Sequence, residues 1–135
     1  MQASRIEPVP ALKTYLVEDS PVIRDNLIAT LEEMAPVQVV GCAEDERSAR
    51  LWLDDPAHVC DLVIVDVFLR QGSGLGLLQA LQATGRACKR VVLSNYATPD
   101  LRRRCLALGA DAVFDKSTDI EALLDWCAGS AAAAP

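Results

Sequence analysis

Short apolar runs alternate with amphipathic segments along the whole chain. Five runs are nearly continuous in hydrophobicity, contain many β-branched residues, and are followed by turn or helix-capping residues. They occupy residues 15–17, 37–40, 62–65, 91–93 and 112–114. Strands of a parallel sheet that is covered on both faces have this character. The pattern therefore predicts five buried parallel strands.

Helical periodicity fills the gaps between these runs and follows the last one. Apolar side chains recur three and four positions apart, and each such segment follows a residue type that caps helix N-termini. These residues are Ser20, Asp45, Ser73, Thr98, and Ser117 or Thr118 for the fifth helix. We expect Gly109 to follow the end of the fourth helix and Gly129 to end the fifth.

Five strand–helix units in succession predict a doubly wound α/β sandwich in which every crossover is right-handed. The sequence has no internal repeat, and 135 residues suit a single domain. We expect residues 1–11 to be an N-terminal leader, residues 12–129 to form the domain, and residues 130–135 to be a C-terminal tail.

Composition narrows the class of protein. The formal net charge of -6 and the pI near 4.7 argue against direct binding to nucleic acid. No apolar run is long enough for membrane insertion, and the N-terminus lacks the apolar core of a signal peptide. The five cysteines are widely spaced and form no C-x-x-C pair. These features predict a cytoplasmic protein with reduced, buried thiols.

Polar residues that could bind a ligand or take part in a reaction follow four of the five predicted strands. Glu18 and Asp19 follow the first strand, Asp66 the third, Ser94 the fourth and Lys116 the fifth. Ligand sites of doubly wound sheets lie at the carboxyl ends of the strands. We therefore expect these five side chains to converge at one edge of the sheet.

The convergence of three carboxylates at this edge predicts a bound cation, since unneutralised carboxylates at close range repel each other. Hard oxygen ligands that remain open to water suit Mg²⁺. A carboxylate can attack phosphorus to form an aspartyl phosphate, and an ammonium or hydroxyl can stabilise the charge on the transferred group. Asp66 is the predicted nucleophile, Glu18 and Asp19 are the predicted metal ligands, and Lys116 and Ser94 contact the phosphoryl group.

Four motifs in this order resemble the response-regulator receiver domains of two-component signalling. They are "VEDS", "VIVDVFLRQGSGL", "VLSNYA" and "GADAVFDKS", and the resemblance covers about residues 12–128. It implies a flavodoxin-like fold with strand order 2-1-3-4-5. It also implies that Asp66 is the phosphoacceptor, that Ser94 is the switch hydroxyl, that Lys116 pairs with phosphoryl charge, and that Val67 offers its backbone carbonyl to Mg²⁺.

The same resemblance implies a signalling role rather than an enzyme, with at most self-phosphorylation from small donors and autodephosphorylation. The phosphoryl donor would be a sensor histidine kinase or a phosphotransfer domain. A downstream protein would read the face formed by helix 4, strand 5 and helix 5, and phosphorylation could drive dimerisation. The sequence predicts no output domain. The alternative is a pseudo-receiver that binds a protein partner without phosphorylation.

Three positions depart from the family pattern. Arg70 and Ser117 stand where receivers often have proline, and Val113 stands where many have an aromatic switch residue, with Phe114 predicted on the opposite face of the strand. Phe68 and Tyr96 are predicted to flank the mouth of the site and to slow hydrolysis of the phosphoryl group, unless their rings only pack on neighbouring loops. Asn95 is grouped with these modulating positions.

Particular residues argue against other functional interpretations. The "GSGLG" stretch lacks the last glycine of a dinucleotide fingerprint, because Leu77 occupies its position. A phosphatase of the haloacid dehalogenase type would need an aspartate where Phe68 stands. His58 is predicted to be a loop residue rather than a phosphate carrier. The basic run at residues 102–104 is predicted to be a solvated helix face.

Overall fold

The computed structural model describes residues 10–133 and contains five strands and five helices in strict alternation. The strands are β1 (Leu12–Val17), β2 (Val37–Ala43), β3 (Leu62–Val65), β4 (Lys89–Ser94) and β5 (Ala112–Asp115). The helices are α1 (Pro21–Met34), α2 (Glu46–Asp54), α3 (Gly74–Thr84), α4 (Pro99–Ala107) and α5 (Ile120–Ala133). All strand pairs are parallel and their order is 2-1-3-4-5, which confirms the predicted architecture.

Two apolar layers cover the sheet, one on each face. On β3, Leu62 and Ile64 face one layer while Val63 and Val65 face the other, and none of the four is measurably exposed. Helices α1 and α5 contribute to the first layer, and α2, α3 and α4 contribute to the second. A strand buried on both faces has no polar position to offer, which explains the unbroken apolar runs in the sequence.

The predicted helix caps are present at four helices. The Ser20 hydroxyl accepts a hydrogen bond from the Ile23 N–H at 3.3 Å, and the Asp45 carboxylate accepts one from the Ser48 N–H at 2.7 Å. Ser73 and Thr98 cap α3 and α4 in the same way. Each bond satisfies a backbone donor that has no partner within its helix. The strand–helix loops at the carboxyl edge are therefore held by local sequence.

Helix α5 differs from its prediction at both ends. Asp119, and not Ser117 or Thr118, directly precedes the helix, and the helix continues beyond Gly129 to Ala133. Ala131 is only 1% exposed and packs in the same cluster as Leu123 and Cys127. The burial of this face, together with the high helix propensity of alanine, outweighs the cost of one glycine.

The remaining sequence predictions concern the termini, the thiols and membrane insertion. Residues 1–9 and 134–135 lie outside the described residues, so the domain boundaries stay a prediction. All five cysteines are free, but two of them depart from the predicted burial. Cys42 is exposed because it lies on the edge strand β2, and Cys88 is only partly buried. Burial raises the pKa of both Cys60 and Cys127 to about 11. Within residues 10–133, every helix is too short or too polar to cross a bilayer.

Candidate functional site

Two acidic residues are buried where β1 and β3 end. Glu18 is 1% exposed and Asp66 is 7% exposed. Each continues the backbone ladder of the sheet, because the Glu18 N–H donates to the Ala43 carbonyl and the Asp66 N–H donates to the Val17 carbonyl, both at 3.0 Å. Carboxylate oxygens of Glu18, Asp19 and Asp66 all lie within 4.8 Å of one another. The predicted convergence of the three acids is therefore present.

Lys116 joins two of these acids. Its Nζ lies 2.5 Å from Glu18 Oε1 and 2.6 Å from Asp66 Oδ2. The Lys116 N–H also donates to the Ser94 carbonyl at 3.0 Å, which fixes the loop after β5 beside β4. Burial lowers the pKa of Lys116, but its hydrogen bonds to Asp66 and Glu18 outweigh that effect and leave the pKa raised. Lys116 is therefore an ammonium held between two carboxylates.

In Glu18, unlike Lys116, burial has a larger effect on the pKa than the hydrogen bonds do. Burial raises the pKa of its carboxyl group, and this effect exceeds the lowering by Lys116 and by the Ser20 N–H. The Ser20 N–H donates to Glu18 Oε2 at 3.0 Å. A buried carboxylate that retains a raised pKa gains from any additional cation that reaches it. The site therefore favours a second positive charge besides Lys116.

The Asp66 carboxylate is surrounded by donors on both oxygens. Oδ1 accepts from the Ser94 hydroxyl at 3.2 Å and from the Phe68 N–H at 3.1 Å, while Oδ2 faces Lys116. Ser94 is the last residue of β4 and is fully buried. These contacts fix the orientation of the carboxylate and place one hydroxyl and one ammonium beside it.

The oxygen ligands that this site offers fit a hard divalent cation. Glu18, Asp19 and Asp66 offer oxygen ligands, and the Asp19 side chain is 18% exposed, so the cluster is open on one side. Asp19 Oδ2 accepts from the Arg70 N–H at 2.8 Å, which orients this carboxylate from outside the cluster. The Val67 carbonyl accepts from the Gly74 N–H at 3.0 Å and retains a second lone pair. Oxygen ligands of this number and openness suit Mg²⁺.

Gly74 allows α3 to begin directly against the backbone of Asp66. A Cβ atom at this position would lie 2.3 Å from the Asp66 carbonyl oxygen and 2.8 Å from Val67 Cα. No side chain fits in that space, so only glycine permits this approach. The close contact holds the turn that follows Asp66 in place.

Glu46 is a supporting residue that the sequence analysis missed. Its Oε1 accepts from the Ser73 N–H at 2.9 Å, and its side chain lies over Gly72 and Gly76, where a Cβ would approach to 2.4 Å and 2.6 Å. Gly72 also has a φ of 78°. The glycines of "GSGLG" therefore make room for Glu46 as well as for the turn. Their spacing was the available signal, although it did not identify which side chain fills the space.

The predicted modulating residues lie on the two loops beside Asp66. Phe68 is 59% exposed and Tyr96 is 83% exposed. Tyr96 has a φ of 55°, in the left-handed region. Asn95 lines a cavity of about 340 Å³ with Lys116, Ser117 and residues of α1 and α5.

The departures from the family pattern have visible local consequences. Val113 is buried in the layer of α2, α3 and α4, whereas Phe114 packs in the opposite layer, as predicted. The Ser117 N–H donates to Asp115 Oδ1 at 2.8 Å, and residues 10–133 contain no cis peptide bond. At both Arg70 and Ser117, the backbone N–H that a proline would lack therefore donates to a carboxylate.

His58 lies in the connection between α2 and β3, where the sequence predicted a loop residue. Its ring stacks on Trp52 with centroids 4.2 Å apart, and its Nδ1 lies 2.7 Å from the Trp52 carbonyl oxygen. This connection leads into the start of β3, at the edge of the sheet opposite Asp66. His58 therefore takes no part in the acidic site.

Comparison with known proteins agrees with this fold. Residues 14–127 match the family model of the response regulator receiver domain. The chain is 32% identical over 120 residues to a protein of Picosynechococcus sp. named as a probable transcriptional regulatory protein, a match that covers 85% of this chain and 47% of the relative. It is 28% identical over 99 residues to the transcriptional regulatory protein MalR of Bacillus subtilis, covering 73% and 41%.

A solved two-component response regulator of the LuxR family from Aurantimonas sp. has the same fold. Its TM-score is 0.73 at 22% identity, and the match covers 90% of this chain and 93% of that one. The chain spans less than half the length of the two curated relatives. Because the family model covers most of the sequence, the chain belongs to the response regulator receiver domain family. Receiver domains are signalling domains of two-component systems.

Proposed function

We propose that this receiver domain takes a phosphoryl group onto Asp66 from a sensor histidine kinase or a phosphotransfer protein. The main support is the environment of the Asp66 carboxylate, which is buried, contacts Lys116 and Ser94, and lies within 4.8 Å of the oxygens of Glu18 and Asp19. A buried acid surrounded by an ammonium, a hydroxyl and two further acids is typical of a functional site.

The proposed transfer forms one bond and breaks one. An Asp66 oxygen attacks phosphorus, the P–N bond of a phosphohistidine breaks, and the departing imidazole keeps the electron pair. Lys116 is close enough to stabilise charge on the phosphoryl oxygens, and the Ser94 hydroxyl can donate to one of them. Glu18, Asp19, Asp66 and the Val67 carbonyl would hold Mg²⁺. Bound Mg²⁺ supplies positive charge that offsets the charge of the phosphoryl group.

The signal would leave through the face formed by α4, β5 and α5. Phosphorylation adds a charge of about -2 at Asp66 near neutral pH. Ser94 would follow the new oxygens, and the loop after β4 would move with it, which biases an existing conformational equilibrium. We propose that a downstream protein reads this face and that phosphorylation can also favour dimerisation. The free thiols suit signalling in the cytoplasm.

The chemistry of the domain itself would be limited to self-phosphorylation and autodephosphorylation. We propose that Phe68 and Tyr96 slow the second of these by hindering the attacking water. Replacing both with serine and timing phosphate loss tests this role, and a shortened half-life is expected. An unchanged half-life would mean that the two rings only pack on their loops.

Intact-mass measurement after incubation with a small phosphoryl donor and Mg²⁺ tests the proposed function. We expect a single phosphoryl adduct in the unaltered protein and none in Asp66→Asn or in the presence of EDTA. If no donor, kinase or phosphotransfer protein yields an adduct, the domain is a pseudo-receiver that binds its partner without phosphorylation.

A further inference from the structure

The sequence predicted that residues 102–104 form a solvated basic face of α4. Arg102 does not fit this prediction. Its Nε donates to the Ala97 carbonyl at 3.0 Å, one terminal nitrogen donates to the Val113 carbonyl at 2.8 Å, and the other donates to Asp119 Oδ2 at 3.2 Å. Its neighbour Arg103 is 71% exposed and, within residues 10–133, pairs only with Asp100 on the same helix. Arg102 therefore connects α4 to three other segments of the chain.

Two carboxylates complete this set of contacts. Asp119 Oδ2 also accepts from the Asp115 N–H at 2.9 Å. Asp115 Oδ2 accepts from the Ala97 N–H at 3.2 Å, while Asp115 Oδ1 accepts from the Ser117 N–H at 2.8 Å and from the Ser117 hydroxyl at 2.5 Å. We call Arg102, Asp115 and Asp119 the brace. It links the loop after β4, which begins beyond Ser94, to the loop after β5, which contains Lys116.

The brace holds Ala97 from both sides. Asp115 binds its N–H and Arg102 binds its carbonyl. The preceding residue, Tyr96, has a φ of 55°, and its carbonyl accepts from the Thr98 N–H at 2.7 Å. A bulky residue without a glycine's freedom keeps a left-handed conformation only when its surroundings impose it. The contacts at Ala97 hold Tyr96 in this conformation from its C-terminal side.

The resting position of this loop also determines what Ser94 can reach. Its hydroxyl now donates to Asp66 Oδ1 itself. On an aspartyl phosphate, the terminal oxygens lie two P–O bonds beyond the carboxylate oxygen, so Ser94 and the loop must move to reach them. Contacts that fix Ala97 in its present place oppose that movement.

We propose that Arg102, acting through Ala97 with Asp115 and Asp119, is a positioning residue that holds the β4–α4 loop in its resting conformation and so slows phosphorylation of Asp66. This inference rests on the proposed function. Loosening the brace lets Tyr96 leave its left-handed conformation and raises the population of the state in which Ser94 can meet the phosphoryl group.

The test compares Arg102→Met with Arg103→Met. Both variants remove one positive charge from α4, but only the first removes a member of the brace. Asp119→Asn weakens the same contact from the loop before α5 and serves if Arg102→Met folds poorly. Two readouts are needed: hydrogen exchange of the Ala97 amide in the unphosphorylated protein, and the rate of adduct formation with acetyl phosphate and Mg²⁺.

We expect Ala97 to exchange roughly tenfold faster in Arg102→Met and Asp119→Asn, and at the original rate in Arg103→Met. Adduct formation should become about threefold to fivefold faster in the two brace variants, the range that a partly exposed ion pair supports. A purely structural role would leave phosphorylation unchanged or slower.

Unchanged exchange at Ala97, or phosphorylation of Arg102→Met no faster than that of Arg103→Met, would overturn the inference. If the unaltered protein forms no adduct, the proposed function fails and the effect on phosphorylation fails with it. The exchange measurement separates the two failures, because it reports on the brace without any phosphoryl group.

Discussion

The two edges of the sheet both carry acidic residues, but they use them differently. At the amino edge, Asp61 Oδ2 accepts from the Lys13 N–H at 2.8 Å and Asp111 Oδ2 accepts from the Arg90 N–H at 2.7 Å. Both aspartates are exposed. Each satisfies a backbone donor near the start of a strand and keeps its hydration. These acids support the fold locally.

At the carboxyl edge the acids are buried and share their partner. Glu18 and Asp66 both contact Lys116, and neither is more than 7% exposed. Burying two carboxylates around one ammonium is costly, and apolar residues of similar volume often serve stability as well or better. Burial and a shared counter-ion, rather than the presence of acidic residues, therefore distinguish the carboxyl edge from the amino edge.

Removal of the shared ammonium should have the largest effect on stability. Lys116→Met leaves Glu18 and Asp66 without their common cation, and we expect a loss of about 3 kcal/mol in the free energy of unfolding at pH 7 without metal. Lys89→Met, at the exposed amino edge, should change it by less than about 0.5 kcal/mol. Urea denaturation measures both. Equal losses in the two variants would remove the distinction between the edges.

Crowding the backbone at the carboxyl edge should have the next largest effect. Gly74→Ala places a methyl group 2.3 Å from the Asp66 carbonyl oxygen and should destabilise the protein by about 2 kcal/mol. Gly129→Ala is the control, since among the described residues nothing beyond its chain neighbours and its own helix backbone lies within 4 Å of its Cβ position. It lies in α5 next to Ser130, which borders the amino edge, and should stabilise the protein by about 0.5–1 kcal/mol. Thermal unfolding of both variants gives the two signs, and a gain in Gly74→Ala would contradict the close approach.

The smallest effect concerns the pH dependence of Glu18. Because burial raises its pKa in the folded protein, its contribution to stability is full at low pH and is lost as pH rises through the folded pKa. Glu18→Gln should therefore be more stable than the unaltered protein at pH 7, and this advantage should shrink towards pH 4. Asp61→Asn should show no such gain at pH 7. Melting temperatures between pH 4 and pH 8 test this, and a Gln variant that is less stable at pH 7 would contradict it.

Most of the fold could be predicted because local sequence and global pattern agree. The apolar runs of β1 and β3, the caps at Ser20 and Thr98, and the acids after the strands all depend on signals a few residues long. Parallel strands then bring their carboxyl ends together, so the meeting of Glu18, Asp66 and Lys116 followed from topology.

The missed features depend on contacts between distant segments. The pairing of β1 with β2 shifts by one residue between Thr14 and Tyr15, and Gly41 gives the room that the Tyr15 ring occupies. Tyr15 then stacks on Trp52 with centroids 4.2 Å apart. Neither the shift nor the contacts of Arg102 leave a periodic signal in the sequence, because each depends on how two elements meet in space.

The decisive measurement is to identify which carboxylate carries the phosphoryl group. Borohydride reduction of the phosphorylated protein converts an aspartyl phosphate to homoserine, which peptide mass spectrometry can locate. We expect homoserine at position 66 alone, with Asp61 and Asp111 at the opposite edge left unchanged. Homoserine at any other aspartate, or its absence from position 66 in a protein that carries the adduct, would contradict the claim that the buried acids of the carboxyl edge form the phosphorylation site.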